Sequence, residues 1–276
     1  MTTLKKNFAH LGAITNSEGL LKTIKSFLEA NEVERSTRIW GIIILFEEKE
    51  LKSWTDLPKT LIFHEVLEVF EIISILGHIC PKMIVEAISK DHVNELSGKS
   101  QKGRNTQFEL FIASKYIQAG YNVQFGEPDL FFYHLGNRYN IACKRPQSKN
   151  KILSNIKKAS KQISLHDGFG IVALDLTPTS IRNFDWRSPD SSNVFESGQD
   201  LIWNNFLNSN RRKINELVGK YVSIVHVYGG LNHKIKNNYA YSLFDYALEI
   251  KSNRTENDYF HEIINKVQSV RPCRTS

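Results

Sequence analysis

Three cysteines in 276 residues are too few and too scattered to organise a fold. Cys80, Cys143 and Cys273 are odd in number and form no CxxC pair, which excludes a disulfide framework and a thiolate zinc site. They read as reduced thiols, the state expected of a cytoplasmic protein. Long apolar runs are missing as well. The longest, Ile39 to Phe46, is broken by Gly41 and falls far short of the roughly 20 residues that span a bilayer. The opening Met-Thr-Thr-Leu-Lys-Lys lacks the apolar core of a secretion signal. There is no internal repeat and no GxxxxGK[ST] phosphate loop, since Ser97-Gly-Lys-Ser-Gln-Lys-Gly103 shares only its composition. His226 and His233, seven residues apart, fit no zinc spacing. What remains is a cytoplasmic chain without a membrane span, long enough for one large domain or two small ones.

Its positive charge is concentrated. Residues 1–100 carry 12 Lys/Arg against 14 Asp/Glu, a net of −2, whereas residues 101–164 carry 11 against 3, a net of +8. The second stretch alone exceeds the +7 of the whole chain. A charge run is most often a solvated face, but one that borders a candidate site is the footprint of a polyanion-binding surface.

Periodicity divides the chain in the same place. Residues 1–100 read as a mostly helical accessory region. Its segments are 18–30 behind a Ser17 cap, 38–51 (helix or strand), 61–76, and a helix begun by Pro81. Glu65, Glu68 and Glu71 are expected on the wetter side of the third. This region carries no recognisable chemistry and is a candidate for docking a protein partner. Polar residues 91–103 read as a linker. The second domain, 101–276, then alternates element types. A helix over 106–119 precedes a strand over 121–125, a hairpin, and a basic helix over 151–164 capped by Ser148 or Asn150. An apolar strand over 169–176 comes next, then an irregular stretch over 177–193 and a helix over 200–218. The last two strands, 221–228 and 239–248, have Gly229-Gly230 between them. That order predicts an α/β fold with a mixed sheet flanked by helices, preceded by the helical region.

The hairpin, Glu127 to Pro146, holds the chemistry. A Gly136-Asn137 turn would set Tyr133 opposite Asn140, Phe131 opposite Ala142 and Asp129 opposite Lys144, all on one face. Leu130, Phe132, Ile141 and Cys143 fall on the other, a core side. An Asp and a Lys held together at the open end of a hairpin can position a divalent metal and a water, with the Lys stabilising developing charge. A cross-strand Asp–Lys pair is more often an ordinary ion pair. Glu109 on the preceding helix could add a second carboxylate, or could equally close a capping box with Thr106. Asp175 reads as a strand terminus, and Trp186 and Trp203 as packing residues.

Pro128-Asp129, twelve residues, and Ala142-Cys143-Lys144, in this order of helix, three strands, helix and strand, resemble the PD-(D/E)xK nuclease superfamily. The family includes many restriction endonucleases and RecB-type nucleases, and the resemblance covers roughly residues 100–180. It implies a restriction-endonuclease-like sheet and a Mg²⁺- or Mn²⁺-dependent hydrolysis of DNA in a setting of defence, restriction or repair, with RNA a second candidate substrate. It further implies metal ligation by Glu109, Asp129, the residue at position 142 and the carbonyl of Cys143, with Lys144 catalytic. Arg145, Lys149, Lys151, Lys157, Lys158, Lys161 and Gln162 would face nucleic acid. Position 142 departs from the pattern, because Ala142 stands where the family carries Asp or Glu. The chain as written is therefore expected to be catalytically silent. Two accounts fit: an inactivated version of an active enzyme, which the retained Asp129 and Lys144 favour, or a natural pseudonuclease kept for binding or as an adaptor. Homo-oligomerisation is left open.

Overall fold

The computed structural model describes residues 9–10, 17–48, 57–92, 101–183, 203, 205–235, 238–249 and 258–270. The chain divides into a helical unit, residues 11–118 with 271–276, and a sheet unit, residues 1–10 with 119–270.

The helical unit contains α1 (Ser17–Ala30), α2 (Arg38–Glu48), α3 (Leu57–Leu76), α4 (Pro81–Ser89) and α5 (Lys102–Gln118). The ambiguous apolar segment is helical for a visible reason. Ile39, Ile42, Ile43 and Phe46 are buried at helical spacing, whereas Ile44 faces out. The carboxylates of α3 overturn one expectation, because Glu65, Glu68 and Glu71 are all buried. Glu65 pairs with Arg38 and, at 2.9 Å, with Arg104. Glu68 meets His64 at 3.1 Å and accepts from Gln107 at 2.8 Å. Glu71 takes Lys115 at 3.2 Å and Gln118 at 2.5 Å. Each charge is compensated inside, the condition under which a carboxylate tolerates burial. Helix α5 starts earlier than expected. Asp91 accepts the Arg104 N–H at 2.8 Å and caps it, while Thr106 lies within the helix and donates to the Lys102 carbonyl. The Thr106–Glu109 capping box is therefore not formed. Because α5 packs on α3 and α4, the division of the chain follows Gln118 and not residue 100. Most of the expected linker, 93–100, lies outside the described residues.

Among the described residues of the sheet unit, seven strands run in the order β1-β7-β6-β5-β4-β3-β2. They are β1 (Ala9–His10), β2 (Gln124–Phe125), β3 (Leu130–His134), β4 (Asn137–Lys144), β5 (Phe169–Asp175), β6 (Ile224–Ile235) and β7 (Asn238–Glu249). The central trio β4, β5 and β6 is parallel, and the outer pairs are antiparallel. The α/β architecture with a mixed, helix-flanked sheet is thus present. Helices α6 (Lys149–Ile163), α7 (Thr177–Asn183), α8 (Arg211–Val218) and α9 (Asp258–Gln268) are among those that flank it. Strand β5 is buried along its whole length, as a strand covered on both faces must be. On one face, Ala142, Val172, Leu174 and Val225 pack under Ile152, Ile156, Ala159 and Ile163 of α6. On the other, Phe132 stacks on Tyr139, and Tyr139 and Phe169 meet Phe260 of α9 edge-on. Gly170 has a steric role, since a Cβ there would sit 2.3 Å from the Tyr221 carbonyl oxygen.

Three expectations change. The alternating segment over 121–125 forms only the two-residue β2. The supposedly irregular stretch begins with α7, whose first turn contains Pro178. Strand β6 continues through Gly229-Gly230, which pair with Phe244 and Leu243, so the reversal comes later, beyond Ile235.

Candidate functional site

The hairpin turns one residue away from where the Gly136-Asn137 signal places it, which slips the register by two. Its central residues are Leu135 (φ 50) and Gly136 (φ 77), both left-handed as a tight hairpin turn with the strand twist requires, and Asn137 already pairs with His134. The register becomes Tyr133 opposite Arg138, Phe131 opposite Asn140 and Leu130 opposite Ile141. Extending it by one pair sets Asp129 opposite Ala142 rather than Lys144. A slip of two residues preserves the face of every side chain, so the grouping of residues survives. Leu130, Phe132, Ile141 and Cys143 are buried on the core side.

Lys144 nevertheless reaches Asp129. Its ammonium donates to Asp129 Oδ2 at 3.1 Å and to the Cys143 carbonyl at 2.8 Å, and the Cys143 N–H donates to the same Oδ2 at 2.7 Å. Asp129 and Lys144 are mostly buried, with 15% and 18% of their side chains exposed. Burial pushes the Asp129 carboxyl above its ordinary range, and the nearby Glu127 charge adds to the rise. The Lys144 charge and the two hydrogen bonds pull the other way without cancelling it. Ala142 is fully buried among the apolar residues beneath α6.

A Mg²⁺ ion is held by one or two carboxylates together with water and phosphate oxygens. Within this cluster Asp129 supplies one carboxylate, and the Lys144 ammonium bridges its Oδ2 to the Cys143 carbonyl. Those are the two oxygens a metal would use, and Ala142 adds none. The residues present do not fit a Mg²⁺ or Mn²⁺ site, and among the described residues no three-ligand group includes Asp129. Glu109 lies half-buried on α5, in the helical unit.

The residues expected to face nucleic acid separate into two sets. Lys149, Lys151, Lys157, Lys158 and Lys161 are exposed on α6. Arg145 is not available. It is buried on the opposite face of β4, where its Nε donates to Asp175 at 2.5 Å. Asp175 also accepts the Thr177 N–H at 2.8 Å, so it is a structural acid that joins two strand ends to the start of α7. Gln162 is half-buried at the far end of α6, about 20 Å along the helix from Lys149 at the usual rise, and so lies away from Asp129. His226 is buried and hydrogen-bonded to Tyr228 at 2.9 Å, while the side chain of His233 lies outside the described residues. Trp203 packs in the α6 core and donates to Ser180 at 3.0 Å, whereas Trp186 is outside the described residues. Sequence reasoning missed the Arg145–Asp175 pair. The available signal was an Asp at the end of an apolar strand directly before a helix start marked by Pro178.

No protein-family model matches this chain, and no curated protein matches it.

Proposed function

We propose that the sheet unit is a restriction-endonuclease-like, PD-(D/E)xK-type scaffold that binds DNA and, as written, does not cleave it. The observation that carries the reading is the convergence of Asp129 and Lys144, at 3.1 Å, where β4 ends and the lysine-bearing α6 is about to begin. In open α/β sheets the carboxyl ends of parallel strands are where ligands bind. The exposed lysines of α6 would meet phosphates there without reading sequence. Cleavage is absent because position 142 offers a methyl group where a metal-ligating carboxylate is needed, and the Lys144 ammonium takes up the remaining oxygens. The resemblance places such a scaffold among nucleases of defence, restriction or repair.

The test is Ala142→Glu, assayed on plasmid and linear DNA with Mg²⁺ or Mn²⁺, with Asp129→Ala in the same background as control. Metal-dependent cleavage that disappears with Asp129→Ala supports an enzyme silenced at one position. A folded Ala142→Glu protein that cleaves nothing under broad conditions counts against it.

The apolar packing of Ala142 favours a second reading, a natural pseudonuclease retained for binding or as an adaptor. A carboxylate introduced there displaces side chains of the α6 core instead of meeting a preformed polar site. This version expects salt-dependent DNA binding with no metal-dependent activity in either form.

A further inference from the structure

The face of the sheet that α6 covers is not covered everywhere. Helix α6 lies on β4 and β5, and its two flanks differ. Ser160 donates to the Val218 carbonyl and Lys149 lies over the Phe206 ring, so that flank is turned towards α8 and the Phe206 segment before it. The opposite flank, with Lys151 and Lys158 exposed, is turned by the helical period towards β3, which lies beyond β4 in the strand order. On β3 the residues of this same face are Phe131 and Tyr133, as their pairing with Asn140 and Arg138 requires. Tyr133 is 56% exposed, whereas Leu130 and Phe132 on the reverse face are fully buried. The Phe131 and Tyr133 rings meet edge-on with centroids 6.1 Å apart, and the Arg138 guanidinium lies 4.0 Å over Phe131. Its Nη2 is anchored on the Glu127 carbonyl at 2.9 Å.

An open aromatic ring beside a flat, anchored guanidinium, on a sheet face next to a helix that exposes Lys151 and Lys158, is what a base with a free π-face requires. Bases in a duplex present only their edges and cannot use such a surface. We propose that the uncovered face of β3 is a stacking platform for an unpaired DNA strand. Tyr133 and Arg138 take bases, and Lys151 and Lys158 take the backbone. The inference rests on the nucleic-acid reading above and specifies its substrate: single strands, or duplexes with unpaired ends, in preference to intact duplex.

The platform points back to Asp129. Phe131 and Tyr133 are two and four residues from it, and at strand spacing the rings advance by about 6.6 Å each. A strand stacked along β3 is thereby led to the Asp129–Lys144 pair.

The experiment uses the full chain and fluorescence anisotropy with a labelled oligothymidylate, the matching oligouridylate and a blunt duplex. Compared proteins are the unaltered chain, Tyr133→Leu and the double variant Lys151→Gln with Lys158→Gln. Tyr133→Leu removes an exposed ring and should leave the fold intact, as checked by circular dichroism. The unaltered chain is expected to prefer the single strand over the duplex. Tyr133→Leu is expected to weaken oligothymidylate binding roughly tenfold, with duplex binding and salt slope unchanged. The lysine double variant is expected to flatten the salt slope on every ligand. Tighter duplex binding, or an unaffected Tyr133→Leu, overturns the platform while leaving the DNA-binding reading in place. Binding to none of the three ligands overturns both. Preference for the uridylate over the thymidylate overturns DNA as the strand bound.

Discussion

At the scale of single residues, the pair beside the candidate site matters more for stability than the site itself. Arg145 and Asp175 are both buried, so removing one leaves the other charged and uncompensated. Such a deletion costs about 3–5 kcal/mol. Asp175→Ala is therefore expected to lower the urea midpoint of the sheet unit far more than Asp129→Ala, followed by circular dichroism. A second residue gives a pH signature. Burial, then the Glu262 and Tyr139 charges, pushes the Tyr121 phenol up to about 12 from its ordinary 10. The folded state favours the neutral phenol. Its contribution is complete below about pH 10, where Tyr121 is neutral in both states, and is lost as pH rises from about 10 towards about 12. Urea titrations at about pH 9 and about pH 11 should show a larger loss for the unaltered chain than for Tyr121→Phe. An equal loss in both would show that Tyr121 carries none of it. The sequence made the Asp129–Lys144 grouping legible because alternation survives a slip of two residues. It did not make the register legible. Gly136 marks a turn without saying on which side its partner lies, and a leucine with φ 50 is not a residue that propensity selects.

At the scale of elements, α3 shows how a charged stripe can be an interior one. Arg104, Gln107, Lys115 and Gln118 recur on α5 at helical spacing and meet Glu65, Glu68 and Glu71 on α3, with Arg38 arriving from α2. Read alone, three glutamates at intervals of three look solvated. Apart from His64, four residues before Glu68, their partners stand 27 to 47 residues away, beyond the reach of any local pattern. Glu65→Ala leaves two buried guanidinium groups without their carboxylate. We expect it to destabilise the helical unit by about 3 kcal/mol or more, measured as loss of helical signal in urea. Glu65→Gln should recover part of that loss by keeping a hydrogen-bond acceptor. If Glu65→Ala melts with the unaltered chain, the ladder is not what fixes α5 on α3.

At the scale of the molecule, the charge map and the strand order differ in how far local sequence reveals them. The basic excess of residues 101–164 was countable, and its lysines are exposed on α6. It predicts DNA binding that weakens steeply with salt. Replacing Lys157 and Lys158 by Gln should reduce the slope of log K against log salt by about 1.8. Anisotropy over a salt series reads this directly, and an unchanged slope would place the contact elsewhere. The parallel arrangement of β4, β5 and β6 was not countable. It depends on pairings between segments that share no local signal, and Gly229-Gly230 looked like a reversal only because such a pair usually is one.

The pairing of β1 with β7, Ala9 against Leu243 and His10 against Ser242, has a consequence in time. The first strand of the sheet unit is synthesised before the helical unit, and its partner is among the last segments to emerge. The helical unit can assemble its contacts while β1 waits, because domains fold as units and local contacts form fastest. Sheet closure then occurs last, across nearly the whole length of the chain. Until it does, the stretch of β7 around Ser242 and Leu243 remains open to strands of other molecules. A chain beginning at residue 101 never acquires β1, so at Ser242 and Leu243 that vulnerability, transient in the full chain, becomes permanent.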